Sequence, residues 1–395
     1  MKKRLVKTLL TAAMILVFLA GCGQSGKPES SDPKEETAAE EEIKPEETAE
    51  TEEVKEIAKD IEAAVFYYTY EDTYIESVRM TLNGILDELG ITYWNFDGNK
   101  DQTTQNGQID IAISQGADIL IVNIVTPNSP EAAMEIIDKA KEVDIPVIFF
   151  NRGMGETEER EAVLMSYEKS VFVGTNAPEA GHIQGKMIGD YLMRNYSTID
   201  LNGDGIIQYA MFMGEVGNVE AEARTRYSVE DTNELLINVG KPELEYFDAS
   251  NGDKYQADPK GTWSETAGFS HMADNLIQFN EANGNMIELI ICNNDEMAIG
   301  VINALNEAGY NLGNSKSTTI PVFGVDAVEA AVRLITEGKM TGTVKQDAGG
   351  MAEAIGQLVR NTVEGKELMS SLDHFMTETK KGNKIFIFYE AYTGK

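Results

Sequence analysis

Ile287-Glu288-Leu289-Ile290-Ile291-Cys292-Asn293-Asn294-Asp295-Glu296-Met297-Ala298-Ile299-Gly300 joins a strand to a helix with no loop between them. The first half is a continuous apolar run of strand length, as expected of a parallel strand covered on both faces. The second half opens with Asn-Asn-Asp, residue types that cap helices, and continues with helix formers. Polar residues between a buried strand and a helix lie at the carboxyl edge of a sheet. Open α/β sheets bind small ligands there, which makes Asn294 a candidate ligand contact.

The same grammar repeats along the chain. Candidate strands are Ala64–Tyr68, Thr92–Phe96, Asp118–Val125, Pro146–Asn151, Val171–Thr175, Ile207–Met213, Leu244–Ala249, Ile287–Asn294, Ile320–Val325 and Thr341–Gln346, with helical stretches between most of them. Ser129 followed by Pro130 marks one helix start clearly. Such alternation calls for βαβ units, and about ten strands divide more naturally into two sheets than one. The fold class is therefore α/β, with two Rossmann-like lobes of parallel sheet joined by a hinge.

Bulk properties exclude several functions. The 395 residues carry a net charge of -33, which would repel nucleic acid phosphates. Three histidines (His182, His271 and His374) and two cysteines are too scattered for a zinc site or a Cys/His nucleophile pair. Neither GxSxG nor a P-loop is present.

Residues 1–22 combine Met-Lys-Lys-Arg, a short apolar run and Gly21-Cys22, the composition of a secretory signal. Leu19-Ala20-Gly21-Cys22 resembles the lipobox of bacterial lipoproteins, which implies lipidation of Cys22 and a location outside the cytoplasm on the cell membrane. Residues 23–60 hold 14 acidic and 5 basic side chains and little to bury, so they read as a disordered, self-repelling tether. Fully extended, that tether would reach about 130 Å.

Two constellations carry chemistry. Asp200-Leu201-Asn202-Gly203-Asp204-Gly205-Ile206-Ile207-Gln208 has oxygen donors at loop positions 1, 3 and 5, Gly at 6, the Ile206 carbonyl at 7 and Gln208 at 9. This is the front of an EF-hand calcium loop, but position 12 is Met211 where a bidentate Glu belongs. Either the loop binds no calcium, or a carboxylate from elsewhere completes it. The second constellation is polar and aromatic residues at strand ends: Asp72, Tyr74, Asn151, Asn294 and Asp326. Carboxylates and amides suit sugar hydroxyls, and an aromatic ring covers the apolar face of a pyranose.

From about Ala63 to Tyr389 the chain resembles the galactose/glucose-binding proteins of bacterial ABC importers, which have the type I periplasmic-binding-protein fold. The resemblance rests on Gln105-Asn106-Gly107-Gln108-Ile109-Asp110, Val147-Ile148-Phe149-Phe150-Asn151, Val173-Gly174-Thr175, Ile183-Gln184-Gly185, Ala221-Glu222-Ala223-Arg224-Thr225, Asn293-Asn294-Asp295, Ile320 to Ala327, and the calcium loop. It implies that Glu288 completes the calcium site, so that Asp200, Asn202, Asp204, Ile206, Gln208 and Glu288 hold Ca2+. It implies sugar contacts from Asp72, Asn151, Arg224, Asn294 and Asp326, and an aromatic sandwich of Tyr74 and Trp263, with Tyr255 as rival to Trp263. Three contacts differ in type: Asn218 stands where the family has His, Glu220 where it has Asp, and Gln346 where it has Asn.

The implied protein is a monomer and not an enzyme. It would carry a galactose- or glucose-type monosaccharide to an ABC permease. A sensor feeding a chemoreceptor or histidine kinase, or a receptor for another pentose or hexose, is the alternative. The expected lobes are residues 61–175 plus 347–386, and 176–346 plus 387–395.

Overall fold

The structure is a computed structural model and describes residues 61–394 apart from 156. The signal peptide, Cys22 and the acidic tether expected at 1–60 lie outside the described residues. The chain begins with β1 (Glu62–Tyr67), α1 (Thr73–Leu89), β2 (Thr92–Asp97), α2 (Gln102–Ser114), β3 (Ile119–Val122), α3 (Pro130–Glu142), β4 (Val147–Phe150), α4 (Thr157–Met165) and β5 (Ser170–Gly174). It continues through α5 (Ala177–Ile199), β6 (Gln208–Met213), α6 (Val219–Asn238), β7 (Glu245–Tyr246), β8 (Gln256–Ala257), α7 (Glu265–Gln278), β9 (Leu289–Cys292), α8 (Asp295–Glu307), β10 (Val322–Asp326), α9 (Glu329–Thr336) and β11 (Gly342–Gln346). Last come α10 (Ala348–Val363), β12 (Met376–Glu378), β13 (Asn383–Phe386) and β14 (Tyr389–Tyr392).

These strands make two sheets. The first runs β12-β13-β5-β4-β3-β1-β2 and the second β14-β11-β10-β9-β6-β7, with β8 also paired to β6. The chain thus passes between sheets three times, after β5, β11 and β13. Both sheets are parallel except at one edge, where β12 runs antiparallel to β13 and β14 antiparallel to β11. The short final strands are polar or mixed in composition, so their alternation carried no signal for sheet membership.

The expected strand Leu244–Ala249 shrinks to β7, paired at Gln208 and Tyr209; β8 then takes the other end of the same edge at Phe212 and Met213. The turn chemistry explains the break. Asp248 accepts from the Ser250 amide and hydroxyl, and Asn251 from the Asp253 amide, so local Asx turns lead the chain off the sheet.

Each sheet buries both faces, which is why its central strands read as unbroken apolar runs. In the first lobe, Ile75, Val78, Leu82 and Leu86 of α1 pack with Met351, Ile355, Leu358 and Val359 of α10 on one face. Ile109 of α2 and Ala133, Ile136, Ile137 and Ala140 of α3 cover the other. The second lobe repeats the plan with α5 on one face and α7, α8 and α9 on the other.

In both sheets the chain order reverses beside a central strand: between β1 and β3 in the first, between β6 and β9 in the second. Crevices outside the carboxyl ends of such strands are where ligands bind. The two lobes close these crevices with one device. Asn123 Oδ1 accepts from the Tyr68 amide at 3.2 Å, and Asn293 Oδ1 accepts from the Gly214 amide at 3.2 Å, each tying together the two strand ends that flank the crevice.

Candidate functional site

The crevices of the two lobes face one another and form a single cleft of about 420 Å³, counting its mouth. Asp72, Tyr74, Asn151 and Arg152 line it from the first lobe; Asn218, Glu220, Arg224, Trp263, Asn294, Asp326 and Gln346 line it from the second. All ten residues singled out from sequence are brought together there. Arg152 is the one that sequence reasoning missed, although it follows Asn151 directly at the end of β4 and so met the same criterion. Trp263 lies in the cleft wall, whereas Tyr255 packs behind it with Met213 and Ala221.

Three of the lining residues also start helices. Asp72 Oδ1 accepts from the Ile75 amide at 2.9 Å, Asn218 Oδ1 from the Glu220 amide at 2.9 Å, and Asn294 Oδ1 from the Met297 amide at 3.0 Å. Capping contributes about 1 kcal/mol per helix and uses one oxygen. The other polar atom is also engaged in two of them: Asp72 Oδ2 accepts from the Tyr68 hydroxyl at 2.7 Å, and Asn218 Nδ2 donates to Glu215 at 3.0 Å, so both side chains are fixed.

Three of the cleft residues are also held in a strained backbone conformation. Asn151 (φ 60°), Trp263 (φ 58°) and Asp326 (φ 120°) all adopt positive φ without being glycine. Such conformations cost about 1–3 kcal/mol each and persist where the surroundings fix them, as at ligand clamps. Gly214 serves the opposite need: a Cβ there would lie 2.1 Å from Trp263 ring carbons. Gly214→Ala is therefore expected to push the indole out of the cleft wall. Altered Trp263 emission and weaker ligand binding would show it, while unchanged emission and affinity would contradict it.

Arg224 is the electrostatic centre. Its Nη1 donates to the Asn293 carbonyl at 2.9 Å, and its Nη2 to Gln346 Oε1 and the Tyr389 hydroxyl at 2.9 Å each; Asp326 lies 3.9 Å away. Burial opposes the charge of Arg224, but Tyr389, Glu220 and Asp326 more than offset it and hold its pKa above the ordinary value. Burial pushes the Asp326 carboxyl well up, against the pull of Arg224, and nearby Asp295, Asp72 and Glu296 push the same way. Glu220 accepts from the Thr175 hydroxyl and, at 2.9 Å, from the Tyr389 hydroxyl. Two buried donors, Arg224 Nε and Gln346 Nε2, have no hydrogen-bond partner among the described residues. Buried polar groups seldom lack one, so both are suited to meeting ligand oxygens.

A family model described as the periplasmic binding protein domain matches residues 63–367. The chain belongs to the periplasmic binding protein family. Members of this family bind and deliver solutes outside the cytoplasm and are not enzymes. This periplasmic binding protein is 35% identical over 310 residues to the D-galactose/methyl-galactoside binding periplasmic protein MglB of Haemophilus influenzae, covering 78% of the present chain and 83% of that protein. It is 20% identical over 306 residues to the ribose import binding protein RbsB of Bacillus subtilis, covering 77% and 82%. Among solved structures, an ABC transporter solute binding protein from Clostridium phytofermentans with bound β-D-glucose superposes with a TM-score of 0.62 at 20% identity, over 84% of this chain and 94% of that one. The last two likenesses speak to fold.

In this periplasmic binding protein the loop Asp200–Gln208 runs from the end of α5 to the start of β6. It lies at the amino ends of β6 and β9, opposite the cleft. Glu288, just before β9, is fully buried and reaches the loop: its Oε1 accepts from the Leu201 amide and its Oε2 from the Gln208 amide at 3.1 Å. Burial raises its pKa, and Asp200 beside it adds to the effect. Asp200 accepts from the Gly203 and Gly205 amides at 2.7 and 3.0 Å. Asn202 Nδ2 donates to Asp204 and Gln208 at 3.0 and 3.1 Å. Among the described residues no cluster of three or more His, Cys, Asp or Glu forms a metal cage. The donors gathered here are a mixture of carboxylates, amides and a main-chain carbonyl, the oxygen-only chemistry of calcium. The loop itself is largely exposed, and the buried Glu288 is the carboxylate that reaches it from the core.

Tyr389 of β14 was not anticipated. Its hydroxyl joins Arg224, Glu220 and Thr175, the last at 3.2 Å, where the chain crosses between lobes. One aromatic in a short terminal strand gives no sequence signal of such a role. No helix among the described residues is long and apolar enough to cross a membrane.

Proposed function

We propose that this periplasmic binding protein captures a galactose- or glucose-type monosaccharide between its lobes and delivers it to an ABC permease, held at the membrane by a lipid on Cys22. The observation that carries the proposal is the cleft itself: carboxylates, amides and the arginines Arg152 and Arg224, drawn from both lobes, converge there with Tyr74 and Trp263. Contacts from both lobes let a ligand favour closure by its differential affinity. The galactose relative supports the hexose class.

Asn218, Glu220 and Gln346 set the identity of the sugar. Glu220 is turned to Thr175 and Tyr389, and Gln346 spends its oxygen on Arg224, so each leaves a different set of free hydrogen-bonding atoms than a shorter side chain would. A site that pairs each hydroxyl rejects epimers strongly, because a mismatch leaves buried groups unpaired. Calcium at Asp200, Asn202, Asp204, Ile206, Gln208 and Glu288 is proposed as a structural ion that neutralises the loop's carboxylates.

Tryptophan emission tests the sugar class, since Trp263 lines the cleft. Saturable changes are expected with galactose, glucose or methyl galactoside, and none with ribose or xylose. A response to ribose alone would place the protein in a different branch.

A further inference from the structure

We propose that Arg152 and Glu215 are positioning residues that bridge the lobes and set how long a sugar remains bound; the proposal rests on the two-lobe capture described above. Arg152 belongs to the first lobe and is fixed by it. Its Nε donates to the Ile124 carbonyl at 2.9 Å, its Nη2 to the Val125 carbonyl at 3.0 Å, and its guanidinium lies 4.0 Å from the centroid of the Tyr68 ring. Glu215 lies in the second lobe, in the turn between β6 and α6. Arg152 Nη2 donates to both its oxygens, at 2.9 and 3.2 Å.

The bridge is placed to feel the ligand. Glu215 also accepts from Asn218 Nδ2 at 3.0 Å, so both of its donors, Arg152 and Asn218, line the sugar cleft. Side-chain exposure is 4% for Arg152 and 21% for Glu215, which shields the pair from solvent screening. The bonds from Arg152 to Ile124 and Val125 and its contact with Tyr68 all stay within the first lobe. Opening the cleft would therefore keep Arg152 in place and remove the carboxylate from its charge. Losing one partner of a buried, hydrogen-bonded pair acts chiefly on dissociation.

The test is stopped-flow release of galactose from the wild type, Glu215→Gln, Arg152→Gln and the double variant, with small-angle scattering of each without sugar. Glu215→Gln is expected to raise the dissociation rate and Kd about 10-fold while leaving association within about 3-fold. It should also enlarge the radius of gyration of the sugar-free protein. The double variant should lose little more than the worse single, as residues acting as a pair do. A dissociation rate unchanged by Glu215→Gln overturns the bridge. If the wild type binds no galactose, capture of that sugar fails separately and scattering alone decides: equal radii for wild type and Glu215→Gln then overturn it. Glu215→Gln keeps the shape of the side chain and makes no demand on the core, so the folded variant is measurable even if Arg152→Gln is not.

Discussion

Asp326→Ala will weaken hexose binding by at least about 100-fold, about 2.7 kcal/mol, and will not lower the melting temperature of the sugar-free protein. The carboxylate stands at the end of β10 at φ 120°, with Arg224 3.9 Å away. Burial and the nearby Asp295, Asp72 and Glu296 all work against its charge. A group held in place against strain and repulsion stabilises something other than the empty fold. The proposed role of the carboxylate is to accept from sugar hydroxyls. The pH dependence follows from the direction of its pKa. The folded state binds this proton more tightly than the unfolded chain, so the contribution of Asp326 to stability falls as pH rises above the ordinary Asp range. Asp326→Ala should flatten that part of the stability profile. Calorimetry and thermal melts at two pH values check both statements; retained affinity would contradict the first, and a lower melting temperature at neutral pH the second.

Calcium should stabilise the protein strongly, and chelation with EDTA should lower its melting temperature by several degrees. A ligand at 100 times its Kd adds about 2.7 kcal/mol. Glu288 is fully buried with its pKa raised by burial and by Asp200, and Asp204 shares the loop. A divalent cation would offset that accumulation of like charge. Glu288→Gln should remove most of the difference between calcium and EDTA. Because the loop sits at the opposite ends of β6 and β9 from the cleft, sugar affinity of the folded protein should change less than stability. Equal melting temperatures in calcium and EDTA would contradict the metal proposal.

Much of the architecture was legible because parallel strands buried on both faces read as apolar runs with polar ends. The run Leu289–Cys292, followed by the capping Asn294, fixes both an element boundary and a cleft position at once. The strands that were misread or missed are those where burial does not dominate: β7 and β8 on an edge broken by Asx turns, and β12 and β13 near the chain end. The cleft residues were found because strand ends recur in one spatial place. Arg152 and Tyr389 escaped because their roles come from partners far away in sequence, Glu215 for one and Glu220 for the other. Capping and cleft lining also proved compatible at Asp72, Asn218 and Asn294, since each cap uses only one side-chain oxygen of a residue that lines the cleft.

Whether both lobes grip one sugar is decided by titration calorimetry with galactose and glucose. The proteins compared are the wild type, Asp72→Asn in the first lobe and Asn294→Ser in the second, substitutions whose side chains still cap their helices. One sugar per protein is expected for the wild type, with either substitution alone costing about 10-fold or more in affinity. Binding that is lost with one substitution and untouched by the other would contradict capture between the lobes.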